Sequence, residues 1–421
     1  MVALAIFGSF ILLLILSMPV GYAIGISAVA GFLTAGMPVD ILPSYCLSGT
    51  NSFTLLALPL FVFSGNLMSN GSIARRLLDF CECLLGWVTG GLAMVCTVTC
   101  MFFAAISGSA VATTAAVGSF LIPRMTDRGY DKGFAGAITA SAGSIGVIIP
   151  PSIPFVLYGC IARESISDLF VAGLLPGILM GAALMIVSYF YCKKNGWQGD
   201  PHKYTAKEVW VSFKDAFWAI LMPVIILGGI YSGVFTPTEC AAVACIYCLI
   251  VSCFFYRDLD FKGVIKAMKD TVGIGCVALY LMGFSQVFAN VLALKRIPEM
   301  LANAVLGITD NSVVLMLIIN VFLLIVGCFI DNIPATIILT PILLPVAESA
   351  GVSPITFGII MTMNLAIGFV TPPYGIDLFM AMQVGNLKMG EMIKPVLWMI
   401  LGLLVVLMGI TYIPALTLCF L

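Results

Sequence analysis

Residues 145–151 read Ile-Gly-Val-Ile-Ile-Pro-Pro, and residues 367–373 read Ile-Gly-Phe-Val-Thr-Pro-Pro, so one motif occurs twice in the chain. Each Pro-Pro pair interrupts an apolar segment that would otherwise be long enough for a helix. Proline inside a helix removes a backbone hydrogen bond and clashes with the preceding turn. Both segments are therefore predicted to be broken helices.

A shift of 222 residues, which places 145 on 367, also aligns the flanking sequence without a gap and indicates an internal repeat. An apolar segment too long for one span precedes each broken helix. The first, 84–123, is interrupted by Ser107-Gly108-Ser109, and the second, 312–346, by Gly327 and by Asp331-Asn332-Ile333-Pro334. Each is predicted to be a re-entrant helical hairpin. Identical residues also coincide at Thr114 and Thr336, Leu121 and Leu343, Pro123 and Pro345, Gly129 and Gly351, and Gly136 and Gly358.

The composition excludes a soluble globule, because 61% of the 421 residues are hydrophobic and 9% charged, where soluble domains carry about 25% charged residues. Uncharged stretches at 83–123, 133–162, 169–192 and 395–421 can each cross a bilayer, which takes about 20 apolar residues. A net charge of -1 without a basic run excludes nucleic acid as a partner. The fold class predicted is an all-α polytopic membrane protein.

Histidine and cysteine give little support to a metal centre or to nucleophilic catalysis. His202 is the only histidine, so His-based metal sites and Ser-His or Cys-His pairs lack a partner. Cys245-x-x-Cys248 lies in an apolar segment, and its cysteines are expected to be small buried residues. The first Lys or Arg is Arg75, so the apolar N-terminus is predicted to be a retained span and not a signal peptide.

Apolar runs between charges and Pro or Gly predict helices near 2–17, 20–36, 53–69, 84–106, 110–123, 133–149, 168–191, 217–235, 239–256, 271–294, 312–329, 333–346, 354–370 and 395–419. Two amphipathic basic stretches, 197–216 and 257–269, are predicted to be helices on the cytoplasmic surface. The expected organisation is scaffold (1–82), transport repeat 1 (83–165), scaffold (166–304), transport repeat 2 (305–387) and a C-terminal helix (388–421).

Basic residues concentrate on the cytoplasmic side of membrane proteins, and here they cluster in 193–214 and in 257–269. Counting spans from these loops places Arg124 to Lys132 inside and Glu348 outside, so the first hairpin enters from the cytoplasm and the second from outside. Lys295 and Arg296 are placed outside by this count, where their side chains can reach the interface. Inverted repeats with broken helices are the architecture of secondary transporters.

The four interruptions are the predicted binding site, because unwound backbone at membrane depth is tolerated only where it is buried or lines a cavity. Hydroxyl, amide, carboxylate and backbone oxygens at the tips are the hard ligands that sodium prefers. Two cation sites are predicted, one from Ser107, Gly108, Ser109 and Gly146, and one from Gly327, Asp331, Asn332, Gly368 and Thr371. Free amides at the half-helix starts are predicted to face a substrate anion. The candidates there are Pro150, Pro151, Ser152, Asn364, Pro372, Pro373 and Asp377.

Several of these residues have a structural alternative. Asp331 is an acid inside a span and so a functional candidate, but it can also cap the helix that follows. Ser107 and Ser109 can serve as small residues in close helix packing. Glu239, after Thr236, is interpreted as a first-turn acid at a helix start.

With these motifs the chain resembles the large membrane subunit of the tripartite ATP-independent periplasmic (TRAP, DctM-like) transporters over nearly its full length. The resemblance is carried by residues 58–61 (Leu-Pro-Leu-Phe), 107–110 (Ser-Gly-Ser-Ala), 146–154 (Gly-Val-Ile-Ile-Pro-Pro-Ser-Ile-Pro), 233–239 (Gly-Val-Phe-Thr-Pro-Thr-Glu), 331–335 (Asp-Asn-Ile-Pro-Ala), 341–346 (Pro-Ile-Leu-Leu-Pro-Val) and 371–373 (Thr-Pro-Pro).

The resemblance implies sodium-driven uptake of an organic acid across the bacterial inner membrane, delivered by a periplasmic binding protein. It further implies an elevator motion and a small membrane subunit of four helices, expected here as a separate chain. Sodium is the coupling ion expected, with proton coupling as the alternative, and no cofactor is expected. No arginine lies at the predicted midplane, so the acid is not identified. A stand-alone symporter or exchanger of related fold is the alternative, whereas an intramembrane enzyme is disfavoured because no catalytic motif appears.

Overall fold

The computed structural model describes residues 2–69, 72–200, 202, 204–297, 300 and 311–421, and over these residues it is helical without a β-strand. The helices are Val2–Ile15, Val20–Thr34, Leu42–Thr50, Ala57–Ser69, Ile73–Leu85, Gly91–Ser107, Ala110–Asp127, Lys132–Gly143, Ile153–Ala162, Ile166–Asn195, Ala206–Tyr231, Pro237–Ile250, Phe261–Leu294, Ser312–Phe329, Asn332–Ser349, Pro354–Gly368, Ile376–Gly385, Met389–Tyr412 and Ala415–Leu418. Short 3-10 turns occupy Val39–Ile41, Phe53–Leu56 and Ser144–Val147, and a π turn occupies Val251–Phe255.

Both predicted hairpins and both predicted broken helices are present, which confirms the repeat. Hairpin 1 consists of Gly91–Ser107 and Ala110–Asp127, and hairpin 2 of Ser312–Phe329 and Asn332–Ser349. Broken helix 1 consists of Lys132–Gly143 and Ile153–Ala162, and broken helix 2 of Pro354–Gly368 and Ile376–Gly385. The turn after each hairpin contains a glycine in the left-handed region, Gly129 at φ +82° and Gly351 at φ +83°, a conformation that favours glycine.

The two repeats interlock through exchanged helices. The second half of broken helix 2 packs on Ala110–Asp127 of hairpin 1, and the second half of broken helix 1 packs on Asn332–Ser349 of hairpin 2. The Tyr158 hydroxyl of broken helix 1 also donates to the Pro354 carbonyl of broken helix 2 at 2.6 Å. The transport repeats therefore form one packed unit.

The same symmetry extends to a third helix in each repeat. Ile166–Asn195 and Met389–Tyr412 follow the broken helices at equivalent positions. Each packs on the other and on the first half of the opposite broken helix. Ile166–Asn195, which the sequence groups with the scaffold, thus lies against the repeats.

Among the remaining helices, Phe261–Leu294 packs on three N-terminal helices, Val20–Thr34, Leu42–Thr50 and Ala57–Ser69. These scaffold helices also contact the repeats, since Ala57–Ser69 and Ile73–Leu85 pack on Gly91–Ser107 and Phe261–Leu294 packs on Asn332–Ser349. Ala57–Ser69 also packs on Pro237–Ile250. Among the described residues, seven helices are long and apolar enough to cross a membrane. The predicted domain boundary between 304 and 305 lies outside the described residues.

Two features of the helix prediction are wrong. Leu42–Thr50 and Ile73–Leu85 were not predicted, because a search for apolar runs overlooks a helix such as Ile73–Leu85, whose Arg75, Arg76 and Asp79 lie among apolar residues. The amphipathic stretches are not separate surface helices either. Helices start at Ala206 and Phe261, after the caps Thr205 and Asp260, and continue without a break into the following spans.

The cytoplasmic end predicted for hairpin 1 is held by ion pairs to the neighbouring helix Ile73–Leu85. Buried Glu82 accepts from Arg124 at 2.5 Å and from Arg128 at 2.8 Å. Arg128 also pairs with Asp200 at 2.8 Å. These contacts fix hairpin 1 relative to the helix that leads into it.

Candidate functional site

The tip of hairpin 1 is a compact turn stabilised by hydroxyl groups. Gly108 closes the first arm at φ +61°. The Ser107 and Thr113 hydroxyls are 2.9 Å apart, and the Thr113 hydroxyl donates to the Ser109 carbonyl at 2.7 Å. Ser109 caps the second arm by accepting from the Ala112 N–H at 3.4 Å.

This tip packs against the break of its own repeat, as predicted. The Ile153 N–H donates to the Gly108 carbonyl at 3.5 Å. A Cβ added at Gly146 would lie 2.7 Å from the Ser109 carbonyl oxygen and 2.8 Å from the Thr113 hydroxyl oxygen. The structure therefore brings Gly108, Ser109 and Gly146 together, with hydroxyl and carbonyl oxygens concentrated at the contact.

The segment between the two halves of broken helix 1, called break 1, pairs its polar groups internally; the corresponding segment of broken helix 2 is called break 2. Pro150 and Pro151 are buried and joined by a cis peptide bond. Ser152 is buried, donates to the Val147 carbonyl at 2.5 Å and accepts from the Phe155 N–H at 3.3 Å. Its hydroxyl thus serves to bridge the break and cap the following half-helix.

The tip of hairpin 2 has less internal hydrogen bonding than the tip of hairpin 1. Asp331 is the N-cap residue of Asn332–Ser349, yet its side chain makes no capping hydrogen bond, although it interacts with the N–H groups of Asn332 and Ile333. Buried Asn332 accepts from the Thr336 hydroxyl at 2.9 Å, and its side-chain nitrogen has no partner. Oxygen and nitrogen atoms that could take part in binding remain available at this tip.

Hairpin 2 also contacts the break of its own repeat, but through its first arm. A Cβ at Gly327 would lie 3.0 Å from the Cα of Leu365 and 3.2 Å from that of Gly368. Thr371, just beyond, donates to the Ile367 carbonyl at 2.7 Å. Gly327 and Gly368 are therefore in contact, and Thr371 follows three residues beyond Gly368; the ligand roles of these residues in the second site stay a prediction.

Asn364 connects break 2 to the surrounding helices. Its side-chain nitrogen donates to Asn320 Oδ1 and to the Ile360 carbonyl, both at 2.8 Å. Asn320 in turn donates to the Thr411 hydroxyl at 3.0 Å. The side-chain oxygen of Asn364 is buried without a partner, so it is an acceptor that could serve a ligand.

Break 2 differs from break 1 in exposure. Pro372 is half-buried and Pro373 exposed, and their peptide bond is cis. Asp377, in contrast, is 0% exposed, and neither of its carboxylate oxygens has a hydrogen-bond partner. The Pro-Pro turn of repeat 2 thus lies at the surface while the following acid is enclosed.

A cavity of about 540 Å³ lies at the tip of hairpin 2, between that hairpin and scaffold helices. Asp331 lines it together with mainly apolar side chains, among them Tyr22, Tyr280 and Pro334. A larger cavity of about 810 Å³, lined by residues such as Trp87, Lys193 and Trp197, includes no predicted site residue. The cavity at Asp331 is the one that belongs to the candidate site.

The half-helix starts differ in how their N–H groups are satisfied. Ser109 and Ser152 cap the starts in repeat 1 with their hydroxyls. Asp331 and Gly375 precede the corresponding helices in repeat 2 and make no side-chain cap. Unpaired helix N–H groups attract anions, but the missing side-chain caps do not leave all of these N–H groups unpaired, because the Asp377 N–H donates to the Phe369 carbonyl at 3.1 Å and Asp331 interacts with the N–H groups of Asn332 and Ile333.

Sequence reasoning did not identify Thr113 as part of the site, although it joins Ser107 to Ser109. Its equivalent in repeat 2 is Ala335, so the repeat gave no signal for it. Thr114 was noted only as a repeat match to Thr336; it is fully buried with an unpartnered hydroxyl.

Residues 7–416 match the family described as "Tripartite ATP-independent periplasmic transporter, DctM component". The chain belongs to the DctM family of TRAP transporters. It is thus a large permease component and a multi-pass protein of the inner membrane.

Relatives of this DctM-family chain are named for different substrates. It is 45% identical to the isethionate TRAP transporter permease protein DctMQ of Oleidesulfovibrio alaskensis over 99% of this chain and 66% of that protein. It is 40% identical to the sialic acid large permease SiaM of Vibrio cholerae, with 96% and 95% covered. It is also 40% identical to the C4-dicarboxylate large permease DctM of Pseudomonas aeruginosa, with 87% and 86% covered.

Two solved structures share the fold. The YdaH transporter of Alcanivorax borkumensis is similar at a TM-score of 0.60 and 17% identity, covering 88% of this chain and 86% of that one. MtrF of Neisseria gonorrhoeae is similar at a TM-score of 0.59 and 15% identity, covering 90% and 85%. At this identity the likeness supports the transporter-type architecture alone.

Proposed function

We propose that this chain is the permease subunit of a secondary active importer that couples sodium entry to uptake of an organic acid. The observation that carries the proposal is the contact of each hairpin with the break of its own repeat, through the tip in hairpin 1 and through Gly327 of the first arm in hairpin 2, in a chain of the DctM family. The carboxylate class is favoured by the sialic acid and C4-dicarboxylate relatives. The isethionate relative makes a sulfonate the second class to test.

Sodium is the coupling ion that the tip chemistry favours. The first site would use Ser107, Gly108, Ser109 and Gly146, at a tip where the Thr113 hydroxyl lies 2.9 Å from the Ser107 hydroxyl and 2.7 Å from the Ser109 carbonyl oxygen. The second would use Gly327, Asp331, Asn332, Gly368 and Thr371. Both sets consist of oxygen ligands, which suit a hard cation.

The substrate would lie between the two breaks, where cations at the tips offset its negative charge. Pro150, Pro151, Ser152, Asn364, Pro372, Pro373 and Asp377 remain the proposed lining. N–H groups at the start of Ile376–Gly385, which has no side-chain cap, would donate to the anion. Because Asp377 is itself acidic, its place in this lining requires a compensating positive charge.

The proposed partners are a periplasmic binding protein and a small membrane subunit. The interlocked repeats would move as one unit against the scaffold helices around Phe261–Leu294. Such a movement would carry the site between the two sides of the membrane.

Reconstituted uptake tests the proposal. Proteoliposomes containing the chain with its small subunit, and supplied with the binding protein, are given labelled succinate, sialic acid or isethionate under an inward sodium gradient. We expect uptake of one of these anions that collapses when the sodium gradient is replaced by potassium. Uptake that does not require the binding protein would favour the stand-alone symporter, and uptake driven only by a proton gradient would overturn sodium coupling.

A further inference from the structure

A buried polar junction joins the two repeats at Asp377 and Thr114. Asp377, on the second half of broken helix 2, is 0% exposed, and Thr114 of hairpin 1 is 0% exposed as well. The Thr114 hydroxyl interacts with the Asp377 carboxylate, yet neither side chain has a hydrogen bond of acceptable geometry. The Thr114 hydroxyl and both carboxylate oxygens of Asp377 are therefore buried without a full hydrogen bond, on two helices that pack on each other.

The junction is tightly enclosed by broken helix 1. A Cβ added at Gly143 would overlap the hydroxyl oxygen of Thr114 and lie 2.9 Å from its Cβ. The Thr114 hydroxyl thus lies directly against Gly143, and glycine at this position leaves the room that it occupies.

The internal repeat provides a comparison within the same molecule. The residue equivalent to Asp377 in repeat 1 is Phe155, which is fully buried, and the residue equivalent to Thr114 is Thr336. Thr336 donates to Asn332, so the equivalent hydroxyl is satisfied. The fold therefore accepts a large apolar side chain at this position, and the carboxylate of Asp377 is not needed for packing.

A helix-start role does not account for Asp377 either. An acid in the first turn is stabilised by the helix dipole, but no N–H group hydrogen-bonds to this carboxylate. Asp331 lies close enough to repel it, which increases the cost of the buried charge. A buried carboxylate is tolerated when it is paired with a cation.

We propose that Asp377 and Thr114 hold a further sodium ion at the junction between the repeats, separate from the two hairpin-tip sites. The ligands of this ion are one carboxylate and one hydroxyl, which come from different repeats. The site is therefore complete only when the two repeats are interlocked. One carboxylate and one hydroxyl supply a single negative charge, which favours a monovalent cation. The inference rests on the proposed sodium coupling and adds one ion to it.

Thermal unfolding of the purified chain in sodium chloride and in choline chloride tests this site. For Asp377→Asn we expect a higher unfolding temperature than wild type without sodium, because a buried charge is removed, and a smaller rise when sodium is added. Thr114→Val should also reduce the rise in unfolding temperature that sodium causes, but it should not raise the unfolding temperature in the absence of sodium. Ser188→Ala, which removes another buried unpartnered hydroxyl, and Glu239→Gln, at an exposed helix start, should keep the full rise.

Two results would overturn the junction site. Asp377→Asn that unfolds at a lower temperature than wild type in choline and keeps the full sodium rise would make Asp377 structural. The second result is a wild-type protein whose unfolding temperature rises on acidification and not with sodium, where Asp377→Asn abolishes that rise. Asp377 would then bind a proton and not a sodium ion. If uptake remains sodium-driven while either result is obtained, only this inference fails and the proposed function stands.

Discussion

Gly368 of broken helix 2 lies against the backbone of Gly327 in hairpin 2, so that a Cβ at Gly368 would approach the Gly327 carbonyl oxygen to 2.6 Å. The neighbouring atoms are backbone and cannot rotate away. Gly146, the equivalent of Gly368 in repeat 1, is confined in the same manner by Ser109 and Thr113. Glycine at these two positions is thus what allows each hairpin to reach its break.

Gly368→Ala should disturb the second tip and break. We expect a loss of stability of about 1–3 kcal/mol, the usual cost of overpacking, together with a marked loss of uptake. Thermal unfolding and proteoliposome uptake measure the two effects. Gly228→Ala is the matched control, because a Cβ there meets nothing within 4 Å; equal behaviour of the two variants would contradict the close packing.

Glu82→Gln should weaken the connection of hairpin 1 to the helix Ile73–Leu85. The buried carboxylate accepts from both Arg124 and Arg128, and its neutralisation should cost about 2 kcal/mol. Asp79→Asn removes a more exposed partner of Arg124 and should cost at most about 1 kcal/mol. Chemical denaturation of both variants gives the comparison; an equal or reversed order would refute it.

Ionisation of the Asp200 carboxyl should make the unfolding temperature depend on pH. The His202 N–H and the Arg128 guanidinium hold the pKa of the Asp200 carboxyl below its usual value. A lowered pKa stabilises the fold above the ordinary carboxyl pKa of about 3.9, and this contribution is lost as pH falls through the lowered value. Unfolding temperatures of wild type and Asp200→Asn should differ at pH 7 and converge below about pH 4; a constant difference would contradict the assignment.

The inverted topology predicts that the ends of the two hairpins lie on opposite sides of the membrane. Lys132→Cys and Glu348→Cys, both at exposed positions, can be labelled with a membrane-impermeant maleimide in a background carrying Cys276→Ser and Cys419→Ser. Glu348→Cys should react in intact cells and Lys132→Cys only after permeabilisation. Labelling of both from one side would exclude the inversion.

The sequence predicted the repeat architecture closely because proline, glycine and charge interrupt helices through local chemistry. The breaks at Pro150 and Pro372 and the tips at Gly108 and Asp331 depend on residues within a few positions. The capping box of Thr236 and Glu239, with hydrogen bonds of 2.9 and 3.3 Å between them, was likewise readable from spacing and confirms the helix-start interpretation of Glu239.

Contacts between distant segments could not be predicted in the same way. The exchange of half-helices between the repeats brings Asp377 to Thr114, which are far apart in sequence. Asp331 was predicted as either a ligand or a cap; it occupies the cap position without the capping hydrogen bond. A ligand role for Asp331 stays a prediction.

The most direct test of the central claim, that the hairpin tips and breaks bind coupling sodium ions, is the unfolding temperature of the purified protein in sodium, potassium and choline chloride. A ligand of the folded state stabilises it by about 1.4 kcal/mol at ten times its dissociation constant for one site. We expect a rise with sodium alone that is reduced in Ser109→Ala and again in Asp331→Asn. Equal unfolding temperatures in the three salts, or a full sodium effect in both variants, would contradict the account.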